Sequence, residues 1–209
     1  MKKFFVLLSI LLIAASPGLA QNKRIQFSLS GGLNHIFEYG SIEDYIAGET
    51  DFPVVPSHSP LNFGIALAFF VSDSVGIEFD GRYTQSTKVT LQDPSDQDTV
   101  EVDSSKHYSL TANLIFQIPR GSFRPYVLLG GGVDIISAED RVYMSEFGYE
   151  VEILAPERKT DFLIQGGGGI LLFMSREFGL RIDARYISIY ADPDAVKSIN
   201  GTAGIFVRF

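Results

Sequence analysis

Few residues of this 209-residue chain could do chemistry: it has three His and no Cys. Without Cys there is no disulfide framework, no thiolate metal site and no Cys nucleophile. His35, His58 and His107 are too few for a His-rich metal centre. His107 and Ser109 stand two apart in an alternating stretch. Both side chains therefore fall on one face, as a general base and its nucleophile require. The run Asp93-Pro94-Ser95-Asp96-Gln97-Asp98 holds oxygen ligands at a spacing a hard cation accepts, yet it lacks the EF-hand frame and reads as a solvated loop. Glycine runs at 130–132 and 166–169 carry no phosphate-loop signature and fall inside strand-like segments. No cofactor and no metal are expected. The formal charge of −8 argues against nucleic acid as a partner, which needs clustered positive charge.

Elements must position these residues. Residues 1–20 read as a secretory signal peptide: Lys2 and Lys3, an apolar run from Phe4 to Ala15, and Gly18-Leu19-Ala20 before the cut. Its removal leaves 15 basic against 25 acidic side chains. The apolar run is too short for a membrane-spanning helix, and no later stretch reaches eighteen apolar residues.

Eight segments then alternate with period two, the mark of strands with unlike faces. They run 25–34, 61–71, 75–84, 107–118, 124–135, 162–173, 178–190 and 199–209. In the second, Leu61, Phe63, Ile65, Leu67 and Phe69 oppose Asn62, Gly64, Ala66 and Ala68. In the seventh, Leu180, Ile182, Ala184 and Tyr186 oppose Arg181, Asp183 and Arg185. The parity of the sixth is ambiguous because it is rich in Gly. Connections alternate between long or polar (35–60, 85–106, 136–161, 191–198) and short (72–74, 119–123, 174–177). Strands of this length, with long connections at one end and short at the other, fit a barrel that crosses a membrane with both termini on one side.

Three features turn the apolar face outward, against the soluble alternative with apolar residues inside. One face is bulky, while the other holds Gly, Ala, Ser and Thr, which suit a narrow tube. The small-residue face carries Arg82, Arg181, Arg185 and Arg208 against Glu78, Asp80, Asp134 and Asp183. Four charges of each sign read as an internal salt-bridge network, because an unpaired buried charge is very costly. The third and seventh strands lie opposite in a ring of eight, so their long side chains can meet across it. The outer face also sorts its aromatics: Tyr83, Tyr108, Tyr186 and Tyr190 toward one rim, Phe69, Phe116, Phe178 and Phe209 toward the other.

On these residues the chain resembles the small eight-stranded outer-membrane barrels of Gram-negative bacteria, of the OmpA-membrane-domain, OmpX and OmpW type, over residues 21–209. The segment Gly201-Thr202-Ala203-Gly204-Ile205-Phe206-Val207-Arg208-Phe209 looks like the C-terminal signal read by the barrel-assembly machinery, with Ile205, Val207 and Phe209 as its alternating positions. Arg124-Pro125-Tyr126, entering a Gly-rich strand, is also similar to common members. No peptidoglycan-binding domain follows. His107-Tyr108-Ser109 is similar to the His-x-Ser of outer-membrane lipid A deacylases. However, Leu110 stands where that family has Asn, and the pair faces the lumen, whereas a lipid substrate lies outside.

The expected fold is all-β: an eight-stranded antiparallel transmembrane up-and-down barrel, exported by a cleaved leader to the outer membrane. The expected role is structural and surface-interacting, without enzymatic activity. The lumen is plugged by ion pairs, and within the four long connections residues 36–60, 87–105, 137–160 and 191–198 hold 18 acidic against 5 basic side chains. A narrow porin-like channel for small or hydrophobic solutes is the alternative, and lipid A modification a third. Expected partners are outer-membrane lipid, lipopolysaccharide and, during insertion, the assembly machinery; a monomer is expected.

Overall fold

The computed structural model describes residues 24–38, 54–56, 59–85, 88–92, 99–103, 106–137, 141–144, 150–153, 159–190 and 195–209. The leader and the Asp93–Asp98 run lie outside the described residues. Among the described residues there are thirteen strands: β1 Ile25–Glu38, β2 Val54–Pro56, β3 Leu61–Phe70, β4 Val75–Thr84, β5 Lys88–Gln92, β6 Thr99–Asp103, β7 Lys106–Gln117, β8 Phe123–Ser137, β9 Arg141–Met144, β10 Glu150–Ile153, β11 Lys159–Phe173, β12 Phe178–Tyr190 and β13 Ala195–Arg208. Eight of them close into one antiparallel barrel in the order β1-β13-β12-β11-β8-β7-β4-β3. The first and last strands meet from Gln26 opposite Arg208 to Glu38 opposite Lys197, and Ile25 and Phe209 exchange backbone hydrogen bonds at 3.2 and 2.8 Å. Closure gives each barrel strand a partner on both sides, the condition for crossing lipid without stranded backbone groups.

Period two governs which way each side chain points. Phe63, Ile65, Phe79, Leu110, Leu129 and Ile182 are exposed on the outer face, while Asn62, Glu78, Asp80, Asn113, Asp134 and Asp183 are buried inside. The Gly-rich segment, ambiguous by pattern, turns Phe162 and Ile164 outward and Leu163, Gln165 and Leu171 inward. Glycine is required where neighbouring backbones press together. A Cβ on Gly132 would lie 1.9 Å from the Leu110 carbonyl oxygen, and one on Gly204 2.0 Å from that of Leu29. Both glycines face inward, on the crowded side of a tightly coiled sheet.

The structure departs from the sequence reading in three ways. Residues 35–38, 106, 136–137, 159–161 and 195–198, read as connection, continue β1, β7, β8, β11 and β13; Lys197 and Ser198 pair with both β1 and β12, Ala195 and Val196 with β12 alone. The stretches taken as loops contain backbone pairing: β2, β5 and β6 form a three-stranded sheet, and β9 with β10 a hairpin. The lumen is also not polar throughout. Phe70, Ile115, Leu128, Leu171 and Phe206 form a buried apolar layer at the short-turn end, and Leu163, Ile187 and Ile189 a smaller one toward the other end. The inward charges of β4 and β12 lie between.

Candidate functional site

The middle of the lumen is built by β4 and β12, which stand opposite each other in the ring. On β4, alternation aims Glu78, Asp80 and Arg82 inward; on β12 it does so for Arg181, Asp183 and Arg185. Arg181 donates through both terminal nitrogens to the Glu78 carboxylate, Nη2 reaching Oε1 at 3.3 Å. Arg185 Nη2 reaches Glu78 Oε1 and Asp80 Oδ2, each at 3.2 Å. Asp183 accepts from Arg181 Nε at 3.0 Å and from Arg185 Nε at 2.7 Å. Arg82 donates to Asp80 at 2.8 and 3.1 Å and lies 3.8 Å from Asp183. Three guanidiniums and three carboxylates thus form one neutral, buried cluster.

Neutral groups complete it. Tyr126 Oη accepts from Arg181 Nε at 2.8 Å, and the side-chain oxygens of Asn200 and Asn62 accept from Arg82 Nη1 at 3.0 and 3.3 Å. Alternation along 124–135 turns Tyr126 inward with Asp134, but nothing in the sequence shows that its hydroxyl meets an arginine, or that Asn62 and Asn200 join the cluster. Their parity marked the face; only the register between strands brings them to one height.

The structure does not bring all eight of the proposed lumen charges together. Asp134 sits on β8 toward the long-connection end, where it accepts from Ser109 Oγ at 2.5 Å and lies 2.6 Å from His107 Nδ1. Arg208 sits at the short-turn end, donating to Gln26 Oε1 at 2.6 and 3.2 Å and to Gln117 Oε1 at 3.2 Å. Its guanidinium also covers the rings of Phe70 and Phe173. The His–Ser pair of the sequence is therefore real in space, but the carboxylate takes both partners. The Ser109 hydroxyl is directed at Asp134, not at the imidazole a nucleophile would need. Of the assembly-signal positions, Ile205 is exposed on the outer face, with Val207 and Phe209 on the same side of the strand.

A cavity of about 20 Å³ opens above the ion cluster, between Asn62, Arg82, Thr84, His107, Ser109 and Asp134. That is room for about one water molecule. Among the described residues no group of three His, Asp or Glu side chains is arranged to hold a metal.

A closed ring of eight antiparallel strands, apolar outside and ionic within, defines a membrane-spanning barrel. The chain matches the outer membrane protein beta-barrel domain family over residues 5–209 and belongs to it; it is an outer-membrane barrel. Among solved structures it is similar to Neisserial surface protein A (14% identity, TM-score 0.52, covering 88% of this chain and 97% of that one). It is also similar to Ail of Yersinia pestis, the attachment invasion locus protein (20% identity, TM-score 0.45, covering 89% and 99%). A further similar structure is the outer membrane enzyme PagL (12% identity, TM-score 0.41, covering 86% and 97%). The likeness to Neisserial surface protein A concerns the fold alone. No curated protein matches the sequence.

Proposed function

We propose that the protein is a structural, surface-interacting barrel of the Gram-negative outer membrane, with a lumen closed to solutes. The observation that carries this reading is the stacking inside the tube of two apolar layers with a neutral six-charge cluster between them. In an eight-stranded barrel the side chains fill the interior. A solute would have to separate ion pairs in a low-dielectric space, where leaving one charge alone is costly. The short turns then face the periplasm and the long acidic connections face outward, as in other barrels of this kind.

Lipopolysaccharide and outer-membrane phospholipid surround the barrel in this reading. Insertion uses the assembly machinery acting on Ile205, Val207 and Phe209, and the leader is cut before Gln21. The protein works as a monomer. The function is non-enzymatic because His107 and Ser109 both turn to Asp134 inside the tube.

Planar-bilayer recording tests closure. The folded protein is expected to give no stable single-channel steps; regular steps would favour the narrow-channel reading instead. Lipid A tests the enzymatic alternative: its composition is expected to be the same in cells carrying wild type, His107→Ala or no copy of the gene.

A further inference from the structure

The short-turn end carries more arginines than carboxylates. Between the turn joining β7 to β8 and that joining β11 to β12 lies an open depression of about 400 Å³. Gly121, Ser122, Arg124, Met174, Ser175 and Arg176 line it, with Phe173 as its floor. Two guanidiniums and no carboxylate face the space. Arg124 is anchored by Nε to the Gly121 carbonyl at 3.2 Å and lies 4.2 Å from the Phe173 ring centre. Behind the same ring, 5.0 Å from its centre, lies Arg208, which is only 5% exposed. The side-chain acceptors of Arg208 are neutral amides, the Gln26 and Gln117 oxygens. Exposed Arg24 and Arg120 add to the charge of this rim, against Asp73 and Glu177.

We propose that this periplasmic mouth binds a phosphate-bearing anion, either the headgroup of an inner-leaflet phospholipid or a soluble phosphate ester. Guanidinium groups pair with phosphate through two parallel hydrogen bonds. Ser175 Oγ already accepts from the backbone of Glu177 and Phe178 at 3.2 and 3.0 Å, so its hydroxyl proton is available to an incoming oxygen. A tetrahedral group with several acceptor oxygens satisfies this donor set better than a planar carboxylate does. The volume suits a headgroup-sized ligand. Met174 is exposed beside the depression, and Phe123 is exposed on the lipid face of the same wall, so a diester held here has apolar surface next to it for its glycerol and acyl parts.

The test uses the full chain in nanodiscs of equal phosphatidylglycerol and phosphatidylcholine with matched acyl chains. Lipid retention is read by native mass spectrometry, alongside a titration with glycerol phosphate in zwitterionic detergent. Wild type is expected to retain phosphatidylglycerol about tenfold over phosphatidylcholine, the scale of one charge-assisted contact. Arg124→Gln with Arg176→Gln is expected to lose that preference. Binding of glycerol phosphate without lipid preference, lost in the same variant, assigns the site to a soluble ester. Equal retention of both lipids with no glycerol phosphate binding overturns the proposal, as does a preference unchanged in the variant. Heat-modifiable gel mobility checks folding. Arg176→Gln alone, in an exposed turn, serves the same comparison if the double variant does not fold.

Discussion

At the scale of single residues, the barrel interior rests on completeness. Glu78 has two guanidiniums on it and Asp183 has three around it, so removing any one member leaves the neutral buried cluster with an unbalanced charge. Arg181→Ala is expected to cost about 3–5 kcal/mol, the range for breaking a buried pair from one side. The measurement is the temperature at which the folded band shifts on semi-native electrophoresis. Arg181→Met combined with Glu78→Leu removes one charge of each sign and is expected to recover most of the loss. Equal destabilisation by the single and double variants would show that the pair does not act as a unit. The inward charges of this cluster were legible in the sequence because parity fixes which wall a side chain faces. Their grouping was only partly legible, because parity says nothing about register. Asp134 and Arg208 share the inward face with the other six yet lie at different heights, where His107 and Gln26 become their partners.

Among the elements, the strands with bulky residues on one face could be bounded closely: 75–84 and 178–190 agree with β4 and β12. The segment at 162–173 could not be assigned a face because four consecutive glycines, 166–169, erase the contrast between the two sides. The apolar inner layer was hidden for a related reason. Phe70 follows Phe69 and Phe206 follows Ile205, so large residues on successive positions blur the alternation. The inward glycines also set a sharp steric condition on two strands. Gly132→Val is expected to abolish the folded, heat-modifiable band, because the Leu110 carbonyl occupies the space its Cβ needs. Gly201→Ala is expected to leave that band unchanged, since nothing lies within 4 Å of the added carbon. A folded Gly132→Val barrel would mean that β7 and β8 do not approach as closely as described.

For the whole molecule, the decisive property is that the greasy side faces lipid. Leu129 is 63% exposed in the middle of β8. Leu129→Arg is expected to destabilise the barrel in lipid by about 2–4 kcal/mol, the midplane range for a cation on the lipid face. Urea titration of protein folded into bilayers reads this directly, and an unchanged midpoint would place Leu129 away from the acyl region. Closure itself carries a kinetic consequence. Seven of the eight ladders join barrel strands that follow one another along the chain, whereas the seam of β1 with β13 unites segments more than 150 positions apart. Contacts between such distant parts of a chain are slow to find each other, because long-range closure entropy must be met first. A half-zippered sheet with two naked borders must therefore precede the finished ring, and whatever shelters those borders decides whether the polypeptide ends as a cylinder or as an aggregate.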